Sequence, residues 1–200
     1  MTRRVFRLQN TKAGIMMKNI KIVGICGSLR KDSINKNLLL HISRNLPENY
    51  TFVLADLSEI PLYNSDSEED LPQAVKGLAE QVKHADAVLI SSPEYNSSVT
   101  GVLKNTLDWL SRPIVDTPLS NKIVAIMGAT PGILGTVRAQ LHLREILFAL
   151  NAQIIRRPEV LIPHASTKFN EFGEIVDERA VVVLKQLIEA LVEEIKRSKQ

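Results

Sequence analysis

The 200-residue chain predicts a three-layer α/β domain: a five-stranded parallel sheet, doubly wound, with helices covering both faces. Two observations carry this. Short apolar runs rich in Val and Ile recur along the chain without the alternation expected of a half-exposed strand, so both faces of each strand must be covered. Each run is followed by a segment whose apolar residues repeat at three and four positions, which is a helix with one buried face.

The first run is IKIVGIC (20–26), closed by Gly27 and Ser28. SINKNLLLHISRNL (33–46) then places Leu38, Leu39, Ile42 and Leu46 on one helical face, with Asp32 or Ser33 as its cap. TFVLADL (51–57) suits a second strand. After an acidic, proline-containing connection, LPQAVKGLAEQVKHA (71–85) reads as a helix with Pro72 in its first turn and Asp70 as its cap. The third strand is DAVLIS (86–91), followed by a helix near 101–110. KIVAIMG (122–128) is the fourth strand, followed by a helix near 135–150. A short strand region spans 153–162, and a final helix runs from about Asp177 to Lys196.

A chain of this length with 44% hydrophobic residues builds one core, and no run approaches the ~18 apolar residues that cross a bilayer. A soluble, cytoplasmic protein is expected. Cys26 is the only cysteine, so no intramolecular disulfide forms, and no Cys/His spacing suits a metal. The formal net charge of +3 sits in the wrong place for nucleic acid. Arg3, Arg4, Arg7 and Lys12 fall within the first sixteen residues, which hold no acid, and subtracting those four charges leaves −1. Residues 1–17 are expected to form a flexible extension and residues 18–200 the domain. A basic, acid-free leader also fits an organelle-targeting peptide, although this one is short and poor in serine.

In such a sheet ligands bind beyond the carboxyl ends of the strands. Three strand ends carry unusual chemistry: GSLRKDSIN after the first, SPEYNSS after the third and GATPGILG after the fourth. In the first, Ser28, Arg30, Ser33 and Asn35 surround a helix N-terminus, where free N–H groups and the helix dipole favour an anion such as phosphate. The patterns GxxxxGK[ST] and GxGxxG are absent, which disfavours triphosphate and dinucleotide sites. In the second, Pro93 stiffens a loop whose backbone, with Glu94, Tyr95 and Asn96, could edge a planar heterocycle. In the third, Gly128, Ala129 and Thr130 are small enough to let the backbone approach a flat ring. The histidines His41, His84, His142 and His164 are scattered and are read as non-catalytic, and no nucleophile elbow or acid/base pair is evident.

The combination GSLRKDSIN, IPLYNSD, SPEYNSSVTGVLKNTLDWLSR and GATPGILGTVRAQLHLREIL resembles the NAD(P)H-dependent FMN reductases, the flavodoxin-like group of quinone, chromate and azo reductases. The resemblance covers residue 20 to the end. It implies the strand order 2-1-3-4-5, bound FMN, and NADH or NADPH as hydride donor. It also implies ping-pong transfer through flavin N5 to a small-molecule acceptor: a quinone, azo compound, free flavin or metal oxyanion. By the same resemblance Ser28, Arg30, Ser33 and Asn35 would hold the FMN phosphate, Pro93, Glu94, Tyr95 and Asn96 would edge the ring, and Gly128, Ala129 and Thr130 would line its other side. Thr100 stands where a proline is usual in the family and Thr136 where a glycine is common. A homodimer or homotetramer is implied, with Arg112, Gln140 and Arg144 assigned to the interface. The alternatives are a flavodoxin-type electron carrier, disfavoured by near-neutral charge and 4% aromatic content, and a non-enzymatic phosphate-ligand module on the same fold.

Overall fold

The computed structural model describes residues 19–199, and the expected extension over residues 1–17 lies outside the described residues. The strands are β1 (Ile20–Cys26), β2 (Tyr50–Leu54), β3 (Ala87–Ser91), β4 (Ile123–Ala129), β5 (Gln153–Ile154) and β6 (Val160–Ile162). The helices are α1 (Ile34–Arg44), α2 (Gln73–Lys83), α3 (Gly101–Leu110), α4 (Val137–Ala149) and α5 (Glu178–Arg197). All pairings are parallel, in the order β2-β1-β3-β4-β5, with β6 also on β4. This is the doubly wound order expected.

Every residue of β3 and β4 is buried, as is all of β1 except Lys21, whereas the edge strand β2 alternates. The two-residue period of a strand divides these side chains between two cores. Ile22, Leu89, Ala125 and Met127 pack under α1 and α5. Val23, Ile25, Val88, Ile90, Val124 and Ile126 pack under α2, α3 and α4. Trp109, fully buried, belongs to the second core. Its indole N–H donates to the Pro61 carbonyl at 2.8 Å, which satisfies the one polar atom such a ring buries.

The fifth sheet position departs from the single strand expected over 153–162. Two short strands share the edge of β4. β5 pairs with Ile123 and Val124, and β6 pairs with Met127, Gly128 and Ala129. Between them lie exposed Arg156 and Arg157, and Pro158, which has no N–H to donate to a ladder. Among the described residues the sheet therefore has six strands.

Caps follow from local chemistry. Ser33, not Asp32, caps α1 by accepting from Lys36 N at 3.3 Å, and Asp177 caps α5 by accepting from Ala180 N at 2.8 Å. The expected cap at Asp70 is not used: α2 begins after Pro72, with no side-chain cap bond. Among the described residues no helix is long and apolar enough to cross a membrane, and no cluster of His, Cys, Asp or Glu could hold a metal ion.

Candidate active site

The loops that follow β1, β3 and β4 are brought together because those strands are neighbours. The β1–β3 ladder runs to Cys26 opposite Ser91, and Gly27 N extends it to the Ser91 carbonyl at 2.8 Å. Beyond that point the chain turns outward. Ser28 is half-buried, Leu29 to Asp32 are exposed, and Ser33 is buried again as α1 begins. Arg30 makes no ion pair among the described residues, so a cation with five donors stands at the mouth of a helix N-terminus. Ser28 Oγ accepts from Arg30 N at 3.4 Å. A cleft of about 350 Å³ flanks this loop, with Arg30, Lys31 and Lys36 on one wall and Asp56 and Ser58 on the other. A larger cleft of about 840 Å³ lies at the β5 edge between α4 and α5. It touches none of the three loops, so size does not identify the site.

The loop after β3 closes as a tight two-residue turn. Tyr95 and Ser98 exchange backbone hydrogen bonds at 3.1 and 3.0 Å, and the central residues Asn96 and Ser97 have φ of 48° and 63°. That is the left-handed pair of a type I′ turn, a conformation asparagine tolerates well. Tyr95 and Asn96 are exposed.

The side chain of Glu94 is engaged by neighbouring protein. Its side chain is 7% exposed and turns away from the loop mouth onto the N-terminus of α4. There it accepts from Arg138 N at 3.0 Å, Ala139 N at 3.1 Å and Arg138 Nε at 2.7 Å. Thr136, the residue preceding α4, has φ of 72° and makes no side-chain cap bond, so the helix takes its cap from another loop. Burial pushes the Glu94 carboxyl up, but the bonds from Ala139 and Arg138 outweigh it and hold its pKa below the ordinary carboxylate range.

Three further residues of the predicted site, Gly128, Asn35 and Ser33, are also engaged by neighbouring protein. Gly128 is closely packed by protein on the side that a Cβ would take. A Cβ there would lie 2.1 Å from Thr136 Oγ1 and 2.5 Å from the Ser92 carbonyl oxygen, so the glycine admits neighbouring protein. Asn35 is 3% exposed and its amide is bonded to Ser91 and to Ala129. Ser33, also expected at the phosphate, accepts from Lys36 N as the cap of α1, and its Oγ lies 3.7 Å from Cys26 Sγ. Burial pushes the Cys26 thiol pKa up, as befits a small core residue. Ala129 is buried and Thr130 half-buried, its backbone tied to Ile162 and Ala165.

The two threonines that depart from the family pattern are both built in. Thr100 caps α3 and donates to the Gly27 carbonyl at 2.7 Å, tying the second loop to the first. Thr136 accepts from Gln140 Nε2 at 3.1 Å. Gln140, assigned by sequence to a subunit interface, is 4% exposed within the protomer and also donates to the Val160 carbonyl. Arg112 lies over the Tyr63 ring at 5.3 Å, and Tyr63 meets Trp109 edge-on at 5.0 Å, so the IPLYNSD segment is held against α3. Sequence reasoning did not foresee that Arg138 and His142 contact the loop after β3. His142 Nδ1 lies 2.9 Å from Ser98 Oγ. These residues are four apart on one face of α4, but nothing local shows that this face meets the loop after β3.

The family model for NADPH-dependent FMN reductases matches residues 20–167. An NAD(P)H-dependent FMN reductase of Pseudomonas aeruginosa is 44% identical over 177 residues, covering 88% of this chain and 95% of its own. A quinone reductase of Escherichia coli is 38% identical over 188 residues, covering 92% and 100%. Among solved structures, a flavoenzyme NAD(P)H:(acceptor) oxidoreductase of Paracoccus denitrificans superposes with a TM-score of 0.82 at 31% identity, over 89% of this chain and 98% of that one.

Proposed function

The chain belongs to the NADPH-dependent FMN reductase family, flavoenzymes that take electrons from NAD(P)H, and from that premise we propose a cytoplasmic reductase of quinones and similar small acceptors. In the net reaction NAD(P)H, a proton and a quinone become NAD(P)⁺ and the quinol. Azo compounds, free flavins and metal oxyanions are the further acceptors, and donor and acceptor use one face in turn. Bound FMN supplies the two-electron chemistry.

The chain's own residues fit that cofactor. Unpaired Arg30 at the N-terminus of α1, with Ser28 and the first-turn amides, suits a phosphate dianion. The backbone of Pro93 to Asn96 forms the ring-edge wall, and Thr130 lies on the opposite loop. Ser33, Asn35, Glu94, Gly128 and Ala129 act from beneath by holding these loops in place. Tyr95 is the only aromatic residue in the three loops, which leaves a ring face open for stacking by a nicotinamide or a quinone. The observation that carries the reading is this convergence of an anion-ready helix terminus and two small-residue loops on one edge of the sheet. We extend it to a homodimer, itself able to pair into a tetramer, because Leu141 and Phe148, two turns apart on α4, are 54% and 83% exposed.

Anaerobic stopped-flow tests the function. NADH or NADPH should bleach the visible flavin absorbance in one two-electron phase, a quinone should restore it, and initial rates should give parallel double-reciprocal lines. If neither nicotinamide bleaches the flavin while a one-electron reductant does, the chain is a carrier. Arg30→Ala tests the phosphate site: FMN should bind roughly ten- to a hundred-fold more weakly. Riboflavin, which has no phosphate, should bind as before, and equal weakening of both would remove Arg30 from the phosphate.

A further inference from the structure

We propose that Asn35 is a positioning residue, fixing the spacing of the three strand-end loops and making no contact with the cofactor; the inference rests on the FMN-binding reading above. Asn35 is the second residue of α1, a position where the side chain of an asparagine would ordinarily face solvent or a helix-terminal ligand. Here it is 3% exposed and points into the sheet. Its Oδ1 accepts from Ala129 N at 3.0 Å and from Ser91 Oγ at 3.0 Å, and its Nδ2 donates to the Ala129 carbonyl at 2.9 Å.

The side-chain amide carries a donor and an acceptor in one plane, as a peptide group does, and so pairs with both backbone groups of Ala129 as a neighbouring strand would. The bonds span 94 and 56 positions of sequence. They join the start of α1 to the last residue of β3 and the last residue of β4. The loops proposed to contact the cofactor leave from these same points: Ser28 and Arg30 just before α1, Ser92 and Pro93 just after Ser91, Thr130 just after Ala129. A ligand with phosphate at one end and a flat ring at the other must reach all three, so the distance between them sets its affinity as a whole.

Aspartate could accept both bonds but could not donate to the Ala129 carbonyl, and alanine would leave Ala129 N, Ala129 O and the Ser91 hydroxyl buried without this partner. The test uses purified full-length wild type, Asn35→Ala and Ser91→Ala, titrated with FMN and with riboflavin at low temperature, where the folded fraction is measured independently. Asn35→Ala should weaken both flavins by the same factor, roughly ten-fold. It should also change the visible circular dichroism of the bound ring.

Loss confined to FMN would make Asn35 a phosphate ligand and overturn the proposal. A lowered melting temperature with unchanged riboflavin affinity in the folded fraction would reduce Asn35 to a stability role and overturn it equally. Should Asn35→Ala not fold, Ser91→Ala decides. It removes one of the three bonds and should weaken both flavins together by a few-fold, and unchanged affinity would count against the proposal. A wild type that binds neither flavin would sink the parent reading and this one with it.

Discussion

Gly128→Ala is expected to destabilise the fold by about 3 kcal/mol, read as a lowered urea midpoint at unchanged slope. The added methyl would lie 2.5 Å from the Ser92 carbonyl oxygen, which is backbone at the end of a buried strand and cannot step aside. The second obstacle, Thr136 Oγ1 at 2.1 Å, is a side chain held at 0% exposure. Removing it in Gly128→Ala/Thr136→Gly should recover part of the loss, because glycine also accepts the φ of 72° at position 136 without strain. Gly77→Ala is the control. Nothing lies within 4 Å of a Cβ at that helical site, and the change should stabilise by roughly 0.5–1 kcal/mol. A Gly128→Ala protein that melts with wild type would refute the close approach of the β3 and β4 ends.

Glu94→Ala should cost about 2 kcal/mol of stability and loosen the loop that edges the proposed ring site. Most of that comes from the two first-turn N–H groups of α4 that lose their acceptor. The ion pair adds less, because Arg138 is 50% exposed and water screens it. The pH dependence has a definite sign. The folded-state pKa of Glu94 is depressed below 4.5, so its stabilisation is fully present above that value and is lost as pH falls through the folded pKa. Acid melting of wild type should therefore steepen below about pH 4.5, and Glu94→Gln should flatten that limb. An acid limb identical in the two proteins would show that Glu94 does not carry this linkage.

The architecture was legible because its signals are local. Unalternating Val and Ile runs such as IVAIMGA can be satisfied only by a sheet covered on both faces, and 3.6-residue periodicity marks the covering helices. The adjacency of the three candidate loops was legible too. Hydroxyl, amide, Gly and Pro residues concentrate after β1, β3 and β4, and the parallel order places those loops side by side.

What the sequence could not reveal is which groups in those loops face outward. Glu94 and Arg30 are both charged residues in site loops. One is buried as the cap of a helix more than forty positions away, and the other stands without an ion pair among the described residues. Asn35 and Asn96 are both amides in the same kind of motif, one stitched to Ala129 and the other exposed in a type I′ turn. Residue type states what a side chain can bond, and period states which face it takes. Where donors and acceptors from distant strands compete for the same amide or carboxylate, only the packed structure decides, because burying an unpaired polar group costs more than leaving a ligand site one contact short.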